Sequence, residues 1–190
     1  MLKKAFPWLH VDNKTSEQKR VSICGKVVII RDKSPEDLHD DYTWRTDEEL
    51  SRLDATSPIA VGYQDFAKYF VDDMKHTNPR VQKFSIDTHS SKHIGNCMIY
   101  DIDLKRSEAE LGIMIGDRNY WGKGYGTDSV NSILVHIFGT MSLNKVYLHT
   151  LEWNYRARRC FASAGFRETK NVTRNGLNFV RMEITRPEGL

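Results

Sequence analysis

The chain has 190 residues, the usual length of one domain, and can bury a core without disulfides or a structural metal. With 39% hydrophobic and 28% charged residues, its composition excludes a disordered or fibrous protein. No segment approaches the ~20 apolar residues of a membrane span, and three widely spaced cysteines match neither a disulfide framework nor a zinc motif. We therefore expect a cytoplasmic protein with no membrane partner and no metal.

The first half of the chain is predicted to contain an extension, one strand and three helices. Residues 1–24 are interpreted as an N-terminal extension, and the β-branched run at 27–31 predicts the first strand. Residues 34–37, a serine followed by proline and two acids, predict a helix start. Thr46 has a glutamate three residues later and predicts the N-cap of a second helix. Apolar residues at helical spacing predict a third helix from Tyr63 to an Asn-Pro pair.

The second half is predicted to be mostly strands. Apolar stripes predict two more helices, at 130–138 and 157–164, and an Asn-Gly pair indicates a hairpin between the last two strands. This order predicts an α+β protein, an α/β/α sandwich in which helices cover both faces of a mixed, mostly antiparallel sheet of seven strands. The six strands after the first are predicted at residues 81–87, 94–104, 109–116, 145–153, 166–172 and 178–185.

The most informative segment, residues 110–127, reads as a strand, a glycine-rich turn and a helix. The alternating glycines of 122–126 let the backbone approach a ligand, and the following helix N-terminus presents free N–H groups that suit phosphate oxygens. A P-loop does not fit, because five residues separate Gly116 from the next glycine and Lys123 is followed by glycine. A dinucleotide fingerprint does not fit either, because its glycine spacing differs and the turn follows antiparallel strands.

Three blocks in this half of the chain occur together in one known superfamily. Residues 121–127, Trp-Gly-Lys-Gly-Tyr-Gly-Thr, are similar to its Gln/Arg-x-x-Gly-x-Gly/Ala pyrophosphate loop. Asn154 begins a second block, Asn-x-x-Ala/Ser and later Gly-Phe, and residues 109–115 match the strand that leads into the loop. On these blocks the chain resembles the GNAT N-acetyltransferase superfamily. The tryptophan in the first loop position further resembles its ribosomal-protein N-acetyltransferase (Rim-type) branch.

The resemblance implies that the protein binds acetyl-CoA as a cosubstrate and moves the acetyl group to an amine. It implies that the backbone of Met114 and Ile115 pairs with the pantetheine arm and that Asn154 also contacts the cofactor. It also implies a single GNAT domain over residues 25–190, and a homodimer is compatible with it. The residues that it assigns to the cofactor-binding loop are Trp121, Gly122, Lys123, Gly124, Tyr125, Gly126 and Thr127.

The resemblance points to Glu110 as the catalytic base, acting directly or through water. Strand alternation places Glu110 on the same face as Met114, away from the apolar face. The alternatives are that Glu110 pairs with a neighbouring lysine or arginine, and that His149 either faces the acceptor or is a satisfied core histidine. The positions where the superfamily commonly has an acid, a tyrosine or a serine, are Phe161 and Ala157 here. Water is therefore the expected proton donor.

Residues 36–54 carry a net charge of −6, which leaves +9 on the rest of the chain. By the resemblance, early helices and the final hairpin cover the acceptor cleft, so this acidic segment favours a cationic acceptor, although charge runs are commonly solvated faces. A protein N-terminal amine, a polyamine and an aminosugar all remain open. One rival function is an acetyl-CoA-binding module without turnover. Nucleic-acid binding is disfavoured, because the sequence lacks interleaved aromatic and basic stripes.

Overall fold

The predicted strands form one continuous sheet. The computed structural model describes residues 21–76 and 78–188. The strands in that part of the chain are β1 (Ser22–Cys24), β2 (Val28–Asp32), β3 (Gln82–Thr88), β4 (His93–Asp103), β5 (Glu108–Ile115), β6 (Lys145–Leu151), β7 (Arg167–Arg174) and β8 (Leu177–Thr185). The α-helices are α1 (Leu38–Thr46), α2 (Glu48–Leu53), α3 (Tyr63–Lys75), α4 (Tyr125–Thr140) and α5 (Tyr155–Ser163). The sheet order is β1-β2-β3-β4-β5-β6-β8-β7.

The predicted fold class is confirmed, with one more strand than expected. All neighbouring strands are antiparallel except β5 and β6, which are parallel. The additional strand is β1, which pairs with β2 at the edge of the sheet and falls within the segment that the sequence assigned to the N-terminal extension. A strand of three residues is too short to give an alternating pattern. Residues 1–20 of that extension lie outside the described residues.

The predicted N-cap of the second helix is wrong by one residue. Thr46 is the last residue of α1, and its hydroxyl donates to the Tyr42 carbonyl at 3.0 Å. Asp47 caps α2 instead, since it leaves the helical region with ψ of 124° and accepts a hydrogen bond from the Leu50 amide at 2.8 Å. An aspartate is at least as good a cap as a threonine, so Asp47 takes the position and frees Thr46 to continue the first helix.

Both faces of the sheet are covered, as β3 shows. Phe84 lies in the apolar core on the α4 side, where its ring centroid is 5.9 Å from that of His136. Ser85 points to the opposite face and donates to Asp37 at 2.6 Å, immediately before α1 begins. The guanidinium of Arg31 donates two further hydrogen bonds to Asp37, at 2.6 and 2.9 Å. Helix α1 is therefore attached to the sheet by buried polar contacts, whereas α4 packs through apolar ones.

Strands β5 and β6 are neighbours that separate soon after they begin. Their pairing ends at Glu110 and Tyr147, after three residue pairs. Strand β5 nevertheless continues to Ile115 and β6 to Leu151. The two strands therefore diverge toward their C-terminal ends and leave a wedge-shaped gap in the middle of the sheet. This gap positions the candidate site.

Candidate active site

A cavity of about 380 Å³ lies at the C-terminal end of β5, where β5 and β6 have separated. Its walls come from the end of β5, from α2, from the glycine-rich turn and from the start of α5. This volume lies in the range of small-molecule binding sites. Among the cofactor-binding residues predicted from the sequence, Lys123 and Tyr125 are the two that do not line it.

The glycine-rich turn at the wide end of the gap has the backbone geometry of an anion site. Gly122 has φ of +69° and Gly124 has φ of +87°, in the left-handed region that favours glycine. A Cβ at either position would have no atom within 4 Å, so glycine is required by conformation and not by crowding within the protein. Gly124 is the N-cap of α4, and Gly126 and Thr127 in its first turn line the cavity. The positive end of the helix dipole therefore faces the cavity.

Lys123 and Tyr125 lie beside the turn rather than in the cavity wall. Lys123 is exposed, and the ring of Tyr125 packs edge-on against Tyr120 at 4.8 Å between centroids. The sequence motif assigns the loop residues as one block, whereas a turn entering a helix directs consecutive side chains to different sides. The side chain of Tyr125 anchors the start of α4, so any contact of these two residues with a cofactor remains a prediction.

Trp121 and Arg156 form a stacked pair at the edge of the turn. The Trp121 indole N–H donates to the Ile115 carbonyl at 2.6 Å, which fixes the turn against the end of β5. The Arg156 guanidinium lies 3.4 Å from the indole centroid, and burial lowers its pKa. Within residues 21–76 and 78–188, no carboxylate forms an ion pair with Arg156. It therefore provides positive charge beside the N-terminus of α4.

Sequence reasoning missed Arg156 and its neighbour Arg159, which both line the cavity. The sequence did contain a signal for Arg156, which lies in the first turn of α5. The helix dipole disfavours a cation at that end of a helix, so an arginine there indicates a nearby anion. Together the two arginines face the same cavity as the first turn of α4. This arrangement suits a ligand with several phosphate charges.

The backbone of β5 offers hydrogen-bonding groups to the gap at alternate residues. The Gly116 amide donates to the Ile94 carbonyl at 2.9 Å, and Met114 is the partner of Asn96 in the β4–β5 register. Since paired residues alternate along an antiparallel ladder, the polar groups of Met114 face β4 and those of Ile113 and Ile115 face the gap. The geometry therefore favours Ile113 over Met114 for backbone contacts with a ligand.

Glu110 is buried at the narrow end of the gap and contacts a histidine. Its side chain is 7% exposed, and its Oε1 lies 2.7 Å from Nδ1 of His149, which is 5% exposed. The Tyr100 hydroxyl also hydrogen-bonds to this carboxylate, and burial together with the Glu110 charge raises the pKa of Tyr100. Of the alternatives drawn from the sequence, pairing with lysine or arginine is absent among the described contacts of Glu110. His149 is its hydrogen-bond partner instead.

A comparison with known families agrees with this geometry. The sequence profile described as the acetyltransferase (GNAT) domain matches residues 28–167. The chain belongs to the GNAT acetyltransferase family. The matched segment runs from β2 to the first residue of β7 and so contains the gap, the glycine-rich turn and α5. The GNAT resemblance of the sequence is thereby confirmed, while the Rim-type branch remains a prediction.

Individual relatives share either part of the sequence or the fold. An uncharacterized N-acetyltransferase, p20 of Bacillus licheniformis, is 32% identical over 68 residues, which make up 35% of this chain and 38% of that protein. The spermidine N-acetyltransferase of Vibrio cholerae, solved with CoA and spermine, matches at TM-score 0.73 and 20% identity over 83% of this chain and 95% of its own. The aminoglycoside acetyltransferase AAC(6')-Ib, solved with coenzyme A, matches at TM-score 0.70 and 20% identity over 84% of this chain and 95% of its own. At 20% identity, these two comparisons show that the proteins share a fold with this chain.

Asn154, which begins the second GNAT block, has a structural role of its own. Its side-chain oxygen accepts a hydrogen bond from the Ala157 amide at 3.2 Å and so caps α5. It also lines the cavity, as do Ala157 and Phe161. Neither of these two side chains has a hydroxyl group, so the structure places no general acid at the positions where the superfamily commonly has one.

We expect Asn154→Ala to lower the free energy of unfolding by about 1 kcal/mol, the usual effect of losing a helix N-cap. Chemical denaturation of the two proteins measures the difference. Asn154→Asp is the matched control, since its carboxylate accepts the same hydrogen bond and should retain most of the stability. Equal stability of Asn154→Ala and the natural protein would contradict the capping role.

The acidic segment 36–54 is mostly neutralised within the fold. Arg31 pairs with Asp37, and Lys33 contacts Asp41. Arg118 pairs with Asp47 at 2.7 Å and with Glu49 at 2.9 Å. These contacts weaken the expectation that the whole segment attracts a cationic acceptor.

Asp54 is the carboxylate of this segment that lines the cavity. It follows α2, next to the cavity-lining Leu50 and Leu53. Burial raises the pKa of Asp54, and Arg45 opposes that change from 3.7 Å away. Attraction of a cation to the cavity therefore depends on this one carboxylate more than on the net charge of the segment.

Across the described ranges, no helix has both the length and the apolar character needed to cross a membrane. Across the same ranges, no three His, Cys, Asp or Glu side chains gather closely enough to hold a metal ion.

Proposed function

We propose that the protein transfers the acetyl group of acetyl-CoA to a primary amine by direct attack of the amine on the thioester. The observation that carries the proposal is the gap between β5 and β6, with a glycine turn and a helix N-terminus at its wide end. The diphosphate of coenzyme A binds at that turn, where Arg156 and Arg159 supply positive charge. The pantetheine arm follows β5 toward the narrow end.

The position of the thioester follows from this placement. From Ile115 to Glu110 the strand rises five residues, or roughly 17 Å. An extended pantetheine arm is of similar length, so the thioester lies near Glu110. Backbone N–H groups of β5 that face the gap polarise its carbonyl and stabilise the oxyanion formed on attack. Glu110 is proposed to take part in removing the proton from the amine, either directly or through an intervening group.

The reaction does not require a strong general acid. A thiol leaving group has a pKa of about 8.5, so coenzyme A departs as a thiolate without prior protonation. An α-amine has a pKa of about 7.7 to 8.0 and arrives partly neutral, whereas a lysine-like amine must first lose a proton. Phe161 and Ala157 are therefore compatible with turnover, and water serves as the proton donor.

The acceptor is proposed to be a cationic amine, and a protein N-terminus, a polyamine and an aminosugar remain the candidates. Structural neighbours were solved with spermine and with aminoglycosides, which supports an amine of this kind. Trp121 in the loop supports the Rim-type branch and a peptide N-terminus. Homodimerisation and a cytoplasmic location stay predictions.

The acceptor proposal predicts an effect of Asp54→Asn on the KM of a cationic amine. Removing one partly exposed carboxylate should raise KM about fivefold, since such a charge contributes about 1 kcal/mol, and leave kcat unchanged. The effect should fade at high salt. Asp65→Asn is the control, because Asp65 is exposed on α3 and pairs with Lys68. An unchanged KM would contradict the role of Asp54.

The experiment that tests the function is thiol release from acetyl-CoA with a panel of peptides, polyamines and aminosugars. Turnover that depends on one class of amine supports the proposal and names the acceptor class. The rival function, an acetyl-CoA-binding module, is favoured by the missing hydroxyl groups at residues 157 and 161. Tight binding of acetyl-CoA with no turnover on any amine would support that rival.

A further inference from the structure

Polar side chains from four strands form a row at the narrow end of the gap. Tyr100 on β4 contacts Glu110 on β5, Glu110 contacts His149 on β6, and Arg174 at the end of β7 lies with Nη2 3.2 Å from Nε2 of His149. The three side chains from the central strands are largely buried, whereas Arg174 is exposed. The row therefore leads from the interior of the sheet to the surface.

The contacts of His149 define where its ring proton lies. A guanidinium only donates hydrogen bonds, so Nε2 of His149 accepts from Arg174 and carries no proton. Nδ1 then carries the proton and donates to Glu110, a carboxylate that accepts. The imidazole is thus neutral, with its lone pair on Nε2 directed to the exposed side.

The location of the row matches that of the proposed thioester. Glu110 and Tyr147 are the last residues paired between β5 and β6, and His149 follows Tyr147 on the same face of β6. The turn of the final hairpin, next to Arg174, lies beyond the C-terminal end of β6, because Leu151 pairs with Phe179. His149 is two residues past the last paired residue of β6, so its ring lies near the apex of the gap.

Glu110 itself is poorly placed to take a proton from a substrate. Its carboxylate accepts hydrogen bonds from two buried donors, the Tyr100 hydroxyl and Nδ1 of His149. Tyr100 remains a donor, since burial and the Glu110 charge both raise its pKa. The imidazole stands between this carboxylate and the exposed side of the row.

We propose that Nε2 of His149 removes the proton from the acceptor nitrogen and that Glu110 is a positioning residue which orients the ring and stabilises its cation. The proposal deepens the proposed acetyl transfer and rests on it. Arg174 releases Nε2 when the acceptor amine takes its place. His149 and Glu110 thus act as one dyad contributed by neighbouring parallel strands.

The chemistry of the step balances with the substrates alone. A neutral amine attacks the thioester carbon, the N–C bond forms, and the π electron pair moves to oxygen. His149 Nε2 takes one proton from the nitrogen. The carbonyl reforms, the C–S bond breaks with its electron pair going to sulfur, and the imidazolium returns the proton through water to the CoA thiolate. The products are the N-acetyl amine and free CoA.

Other ionisable groups lie near the row, and none of them is substituted in the variants described below. The Tyr147 ring lies edge-on to His149 at 5.9 Å, and burial followed by the Glu110 charge raises its pKa. Arg181 on β8 stacks on Tyr147 at 3.8 Å and donates to Glu183 at 2.6 Å. Asp54, which follows α2, interacts electrostatically with Tyr100.

The test is the pH dependence of kcat/KM with the best amine from the panel. His149→Gln should lower kcat/KM by about 10² to 10⁴ and remove the acid limb that a neutral imidazole requires. Glu110→Gln should keep the acid limb but move it to lower pH by about 1 to 3 units, because the imidazolium loses its carboxylate partner. Arg174→Gln, at an exposed residue, should move the limb the other way, by less.

Glu108→Gln is the matched control, a substitution on the same strand of a carboxylate that pairs with Lys145 at 2.6 Å, and it should leave the limb in place. The dyad is overturned if His149→Gln keeps the acid limb, or if Glu110→Gln abolishes it. These results differ from failure of the proposed function, in which the natural protein releases no thiol with any amine. Circular dichroism of each variant confirms that the fold persists.

Discussion

Gly124→Val is expected to weaken acetyl-CoA binding about 100-fold or more while the protein stays folded. The residue has φ of +87°, where a β-branched side chain is strained by about 1 to 3 kcal/mol, so the turn leaves its present conformation. Amides at the start of α4 then no longer point together at the diphosphate. Losing two charge-assisted hydrogen bonds of about 1.5 kcal/mol or more each accounts for a loss of this size.

The matched control for Gly124→Val is Gly176→Val in the final hairpin. Gly176 also has a left-handed φ, +76°, and a Cβ there likewise has no atom within 4 Å. The control therefore introduces the same kind of backbone strain at a residue that does not line the cavity. Isothermal titration calorimetry with acetyl-CoA compares the two variants. Equal affinities in both would show that the turn is not the diphosphate site.

Arg31→Met is expected to lower the free energy of unfolding at pH 7 by about 3 to 5 kcal/mol, because it leaves two buried carboxylates without their cation. Arg31 donates to Asp37 at 2.6 and 2.9 Å and to Asp87 at 2.7 and 3.0 Å. The side chains of Asp37 and Asp87 are 1% and 9% exposed. Urea denaturation measures the loss. The control is Lys83→Met, which removes an exposed ion pair with Asp73. It should change the free energy of unfolding by at most about 1 kcal/mol.

The same network gives the natural protein an acid-dependent stability. Burial alone would raise the pKa of Asp37, but hydrogen bonds from Arg31, Ser85 and the Ser34 amide outweigh it and lower the pKa to about 2. A lowered native pKa stabilises the fold above the unfolded value of about 3.9 and ceases to do so as the pH falls through about 2. Loss of Arg31 should reduce this acid-dependent part, and an Arg31→Met protein as stable as the natural one would contradict the network.

Features that depend on neighbouring residues could be predicted from the sequence. The glycine turn is one, because a strand, three alternating glycines and a helix start lie within residues 110–127. The Asn-Gly hairpin between β7 and β8 is another, since left-handed φ values of 50° at Asn175 and 76° at Gly176 form it locally. The sequence did not distinguish Asp47 from Thr46 as the N-cap of α2, because the two residues are adjacent and both are good caps.

Contacts between residues distant in the sequence could not be predicted. His149 meets Glu110 across 39 residues, and only the register of β5 against β6 brings them together. Arg118 neutralises Glu49 across 69 residues, so net charge along the chain overstated the negative potential at the cavity. Arg156 lines the cavity because the first turn of α5, which contains it, is packed at the cavity wall. Each of these depends on tertiary packing and not on local pattern.

The proposed function depends on the turn at residues 122–127, which receives the diphosphate of coenzyme A at the start of α4. Amide ¹H–¹⁵N spectra recorded during titration with acetyl-CoA test it most directly, because each glycine amide reports its own contact. We expect saturable shifts that are largest at Gly122, Gly124 and Gly126, with a further shift at Ile113 along β5. Saturable binding that leaves these amides unmoved would contradict it.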